Sequence, residues 1–130
     1  MATIFTRIIK GEIPCYKIAE DENCFAFLDI NPLMAGHTLV VPKMEVDYIY
    51  DLPDNMLSEL FLFSKNIAVA IEAAIPCQRI GIAVIGLEVP HAHIHLCPIN
   101  DLHDLNFSNP RKVFSASELE VIASKIKANL

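Results

Sequence analysis

Residues 89–96 read VPHAHIHL, and the last six alternate imidazole with apolar side chains: His91, Ala92, His93, Ile94, His95, Leu96. The whole chain carries only five histidines, so three within six positions call for a cause. In a strand, residues two apart share a face and lie about 6.7 Å from one another. In a helix the same spacing scatters them around the cylinder. The pattern therefore predicts a strand, with Ala92, Ile94 and Leu96 toward a core and His91, His93 and His95 on a polar face. Three chemistries suit such a face. Neutral imidazole is a common zinc ligand, although a further histidine would have to complete the site. A buried structural network would need a partner at each ring nitrogen or lose about 1–3 kcal/mol. A neutral imidazole near pH 7 is also a nucleophile toward phosphorus, with a neighbouring ring to donate to the phosphate or leaving group.

Outward from this run the chain divides into short strands and three helices. Arg79 to Ile85 is apolar and β-branched, and forms a strand pair with His91 to Ile99 around a turn. Tyr16 to Ala19 and Cys24 to Asp29 form a second pair around Glu20-Asp21-Glu22-Asn23, and Thr38 to Val41 is a further strand ended by Pro42. Thr3 to Lys10 has a helical stripe of Ile4, Phe5, Ile8 and Ile9, stopped by Gly11. Leu52-Pro53-Asp54 opens the main helix, whose core face holds Met56, Leu57, Leu60, Ile67 and Ile71 and which ends near Pro76. Ser115 to Glu118 is a capping box ahead of Leu119, Ile122 and Ile126. Strands in clusters with short connections favour antiparallel pairing, hence an α+β fold with a sheet of about five strands and flanking helices. The connection from Asn100 to Phe114 is long and irregular, and is read as a solvated loop, with a lid or dimer element as the alternative.

The bulk numbers narrow the function. The chain has 130 residues, enough for one domain spanning 1–130, and 53% hydrophobic residues place it far from disorder. The formal net charge is −6 with no basic block, which argues against a nucleic-acid partner. The first ten residues are charged and no apolar run is long enough for a signal peptide or a membrane span. Cys15, Cys24, Cys77 and Cys97 are scattered, as expected of reduced thiols in a cytoplasmic protein.

The chain resembles the histidine-triad (HIT) family of nucleotide-binding hydrolases and transferases. The resemblance rests on VPHAHIHL (89–96), on IFTRIIKGEIP (4–14) and on AFLDINPLMAGHTLVVPK (26–43), three motifs in order. It implies a homodimer that binds a purine nucleotide and cleaves a bond at the α-phosphate through a covalent nucleotidyl-histidine, with no cofactor. By position it makes His93 the nucleophile and His95 the donor to phosphate or leaving group, with His91 and His37 in support. It places Asp29 on the ribose hydroxyls, and Ile4, Phe5, Ile8, Phe27, Leu28 and Ile30 in an apolar base pocket.

Three departures accompany the resemblance. Many relatives bind structural zinc with cysteines and a histidine where this chain has Thr3, Thr6 and Glu45; hydroxyls are poor zinc ligands, so no metal is expected. Leu87-Glu88 stand where relatives carry a polar pair against the phosphate. The ending from about residue 100 is atypical, with Asp101, His103 and Asp104. The leading expectation is a nucleoside phosphoramidate or dinucleoside polyphosphate hydrolase; the alternatives are a nucleotide- or partner-binding module with little catalysis, and a zinc hydrolase using the triad as ligands.

Overall fold

Register between three central strands decides which side chains enter the core and which are left for a site. In the computed structural model, which describes residues 1–130, the chain runs α1 (Ile4–Ile9), β1 (Lys17–Glu20), β2 (Cys24–Leu28), β3 (Thr38–Pro42), a 3-10 turn (Ile49–Asp51), α2 (Asp54–Ala74), β4 (Arg79–Ala83), β5 (Ile94–Ile99) and α3 (Ala116–Lys127). The strands form one sheet in the order β1-β2-β3-β5-β4, and every neighbouring pair is antiparallel. This is the expected α+β arrangement of five strands with flanking helices.

Ala26 opposes Val40, and Val40 opposes Ile94. With Cys24, Leu28 and Leu96 they form the layer that meets Leu60, Ile67 and Ile71 of α2 and Leu119, Ala123 and Ile126 of α3. Phe25, Phe27, Leu39 and Val41 take the other face, where Phe5 and Ile8 of α1 cover them. Helix α1 is only six residues long. It leaves uncovered the part of that face where His95 lies opposite Leu39.

The helix ends follow the local chemistry. The Thr3 side chain caps α1 by accepting from the Thr6 N–H, and Gly11 takes the left-handed φ of 79° just beyond it. Ser115 and Glu118 make both bonds of the capping box. Pro53 sits one position earlier than expected, as the residue before α2. No helix is long and apolar enough to cross a membrane, and all four cysteines are free.

The strand pair around the histidines is shorter than expected. Strand β4 ends at Ala83 instead of Ile85, and β5 begins at Ile94 instead of His91. The backbone N–H of Ala92 donates to the Val46 carbonyl at 2.7 Å, and that of His91 to the Val89 carbonyl at 2.8 Å. Both amides are thus engaged outside the ladder. The alternation survives all the same, with Ala92 in the layer beneath α2 and α3.

Ile126 is fully buried in that layer. Ile126→Ala is expected to cost about 2–5 kcal/mol and to lower the midpoint of one urea transition followed by circular dichroism. A separate, earlier melting of α3 is the contrary result.

Candidate active site

Four buried imidazoles meet on the uncovered part of the sheet, and the hydrogen bonds of each ring determine where its proton sits. His91 is fully buried. Its Nε2 lies 2.8 Å from the Pro42 carbonyl oxygen, which can only accept, so Nε2 carries the proton. Its Nδ1 therefore accepts, and the Thr3 hydroxyl donates to it at 2.8 Å. Thr3 N and the Thr6 hydroxyl both donate to Glu45 Oε1, at 2.8 and 2.7 Å. These bonds, the Thr3 amide's first, hold the Glu45 carboxyl down to about 2. Thr3, Thr6, Glu45 and His91 thus come together where the resemblance would place a structural zinc. The set does not fit that ion: two of the four groups are neutral hydroxyls, and His91 Nδ1 already has its donor.

His93 has the opposite tautomer. Its Nδ1 lies 2.8 Å from the His91 carbonyl oxygen, so Nδ1–H donates, and in the neutral ring Nε2 carries the lone pair. The ring is held edge-on by Phe5 and by His95, each with centroids 5.0 Å away. His95 is set by a relay from the backbone. Leu33 N–H donates to His37 Nδ1 at 3.0 Å, so the His37 proton is on Nε2, which donates to His95 Nδ1 at 3.0 Å. The remaining nitrogen of His95, Nε2, is left protonated. A lone pair on His93 thus stands beside a donor on His95.

Burial favours the neutral form of His37, His91 and His95. It pushes His37 down to about 4 and His95 to about 3, with the neighbouring imidazoles adding to the effect at His95 and the Arg111 charge at both. It also lowers His91. Asp29 Oδ2 is 3.7 Å from His37 Nε2, but a neutral imidazole makes no ion pair with it. Burial raises the Asp29 carboxyl, while its Oδ1 accepts from Asn31 N–H at 2.8 Å. Asp29, His37 and His95 are the one group whose ligand atoms cluster closely enough for a metal. The His37–His95 hydrogen bond accounts for that spacing.

His93 and His95 open onto a cleft of about 530 Å³ lined also by Phe5, Asp29, Asn31, Leu39, Ile85, Gly86, Leu87, Glu88, Val89, Phe107 and Arg111. A second cleft of about 310 Å³, with Tyr48, Tyr50 and Phe61 on its wall, meets the first at His93. Of the six residues expected to form a base pocket, only Phe5 lines the larger cleft. Ile8 and Phe27 are buried beneath it, between α1 and the sheet. Leu28 points to the opposite face, into the layer under α2 and α3, because strand neighbours alternate sides. Ile4 and Ile30 are exposed, at 48% and 62%, and neither lines either of these two clefts. Leu39, Val89 and Ile85 supply apolar wall instead. Leu39 carries a readable signal, two positions after His37 along β3.

The loop read as solvated reaches the site. Phe107 stands edge-on to His95 with centroids 4.7 Å apart and near His37 at 6.3 Å. The Arg111 guanidinium lies 5.4 Å over the Phe107 ring and donates from Nη1 to the Asn31 carbonyl at 2.8 Å. Lys112 N–H donates to the Pro32 carbonyl at 2.8 Å. These contacts lay the loop against the Asp29–Leu33 segment.

Residues 10–102 match the HIT domain. Over 102 residues, 77% of this chain and 64% of the relative, the sequence is 38% identical to an adenosine 5'-monophosphoramidase of Saccharomyces cerevisiae. It is 32% identical to an adenosine 5'-monophosphoramidase of Schizosaccharomyces pombe, with 100% of this chain and 99% of that protein covered. Among solved structures it is similar to a HIT-like protein involved in cell-cycle regulation from Bartonella henselae. The TM-score is 0.85 at 30% identity, with 98% of this chain and 96% of that one covered. Phe107 and Arg111 lie beyond the matched domain.

The buried rings make stability depend on acid. In the unfolded chain both His37 and His95 take protons near pH 6.5, whereas in the fold they do so only near 4 and 3. Below about 6.5 the unfolded state binds more protons. Their contribution to stability is therefore full above that pH and is lost as the pH falls toward 4. Asp29, with its raised carboxyl, acts in the opposite sense just above the ordinary carboxylate value. Urea titrations across the window check this, and His37→Asn is expected to flatten the slope.

Proposed function

The chain belongs to the histidine-triad (HIT) family, and on that premise we propose that it hydrolyses a nucleoside phosphoramidate or dinucleoside polyphosphate at the α-phosphate. The observation that carries this reading is the tautomer pair: His93 Nδ1–H tied to the His91 carbonyl, beside a His95 whose Nδ1 is occupied by His37. His93 Nε2 attacks phosphorus, forming a P–N bond as the bond to the leaving group breaks. The leaving group departs with the electron pair; an amine takes a proton from water, and a phosphate leaves as the anion. The new nucleotidyl-imidazolium keeps Nδ1–H on the His91 carbonyl, so its positive charge faces a fixed dipole. His95 Nε2–H donates to a phosphoryl oxygen or the departing atom. Water then attacks phosphorus and loses a proton to solvent (after an amine has left, to the hydroxide formed in that step), the electron pair returns to His93 Nε2, and the nucleoside monophosphate is released. Asp29 accepts from the ribose hydroxyls, and Phe5, Leu39 and Val89 offer the base an apolar wall. Relatives named adenosine 5'-monophosphoramidase support a purine nucleotide as substrate. The free cysteines suit a reducing, cytoplasmic setting.

One observation favours a second reading, a nucleotide-binding module with little catalysis. Leu87 and Glu88 line the cleft, where a leucine donates nothing and a carboxylate repels phosphate. Intact-mass spectrometry after quenching with adenosine phosphoramidate separates the two. The expected result is a transient gain of one adenylyl group, absent in His93→Ala, with kcat reduced roughly 10³-fold or more. Binding without adduct or turnover supports the second reading.

A homodimer is part of the proposal. Strand β4 is an edge of the sheet, and Ile82 within it and Val84 and Ile85 just after it are exposed, as is Phe61 of α2. An apolar edge strand is a template for a second copy. Light scattering is expected to give twice the chain mass, and Ile82→Lys to shift it toward the monomer. A monomeric wild type at micromolar concentration is the contrary outcome.

A further inference from the structure

A nucleotide brings at least one negative charge into a cleft that already holds two carboxylates, Asp29 and Glu88. His95, the cleft histidine whose value burial lowers, does not offset it, nor do His37 and His91 behind it. Arg111 is the only lysine or arginine lining that cleft. Its guanidinium is in place without being consumed. Of its five N–H donors, one is bonded, to the Asn31 carbonyl, and no carboxylate lies within ion-pair distance of it. Phe107 bridges the two groups, with its ring centroid 5.4 Å from the Arg111 guanidinium carbon and 4.7 Å from the His95 ring centroid. The Lys112–Pro32 backbone bond pins the next residue, so the loop is held on both sides of the guanidinium.

We propose that Arg111 is the anion-binding residue of this cleft, contacting a phosphate oxygen of the bound nucleotide beside His95 and replacing the polar contact that Leu87 and Glu88 do not make. The proposal rests on the nucleotide reading above and adds to it the residue that sets selectivity for phosphorylated over unphosphorylated nucleosides. Guanidinium is suited to the task because its planar fork matches two phosphate oxygens and stays charged at any working pH. A structural role is the competing explanation, since Arg111 also ties the loop to Asn31.

Calorimetric titration with AMP and with adenosine distinguishes these roles. For the wild type, AMP is expected to bind more tightly than adenosine, with the difference shrinking at high salt. Arg111→Gln is expected to weaken AMP about tenfold or more and to leave adenosine within about twofold, which also shows that the variant is folded. Arg111→Lys, which keeps the charge but loses the fork, is expected to recover part of the AMP affinity. Unchanged AMP affinity in Arg111→Gln overturns the proposal, as does an equal loss for AMP and adenosine, which would mark a loop anchor. In both cases the wild type still binds nucleotide and the proposed function stands. A wild type that binds neither compound overturns both together.

Discussion

A neutral imidazole holds one proton on one of two nitrogens, and the rest of this site follows from how the fold decides which. The deciding partners are main-chain groups: the His91 carbonyl for His93, the Pro42 carbonyl for His91 and the Leu33 amide for His37. Main-chain groups cannot exchange donor for acceptor, so each ring has one tautomer and not two. Depth in the protein enforces neutrality, and neutrality makes the tautomer meaningful. The nucleophile and its neighbouring donor are then complementary without any group having to move.

Sheet geometry supplies the positions. The register that sets Leu39 opposite His95 and Val40 opposite Ile94 divides each strand between an apolar layer under two long helices and a second face only partly roofed by α1. That short helix does more than cover Phe25 and Phe27. Its capping residue, Thr3, also donates to His91, so the start of the helix and the first ring of the triad are fixed by one hydroxyl. Burial of the rings costs stability in acid, while the apolar layer beneath them supplies the packing that offsets it.

Much of this was legible from residue order. The alternation in HAHIHL places imidazoles and apolar groups on opposite sides even where the backbone leaves the ladder, because side-chain parity outlasts the hydrogen bonds. The capping box at Ser115 and Glu118 forms as written. Other features depend on contacts that spacing does not encode. Strand β5 starts three residues late because Val46, far away in the chain, takes the Ala92 amide. Leu28 and Ile30 adjoin Asp29 in sequence, yet Leu28 ends its strand inside the core layer and Ile30 points to solvent, so adjacency to a binding residue misleads. Phe107 and Arg111 lie in an irregular loop with no period, and nothing local distinguishes them from a solvated aromatic and a surface charge.

The cluster of Thr3, Thr6, Glu45 and His91 has a further consequence for durability. It fastens the chain's first helix to the triad with hydroxyl, carboxylate and imidazole alone. A tie made with cysteines and an ion can be undone by an oxidant that takes the thiolate or by a chelator that takes the metal. Here there is no sulfur to oxidise, and the hydrogen bonds close the junction with groups that make a poor zinc site. The Glu45 carboxyl stays ionised down to a pH of about 2, so mild acid leaves its acceptor intact as well. The hydrogen bonds of this junction involve neither a thiolate nor a metal ligand, the two groups on which a cysteine-and-ion clasp depends.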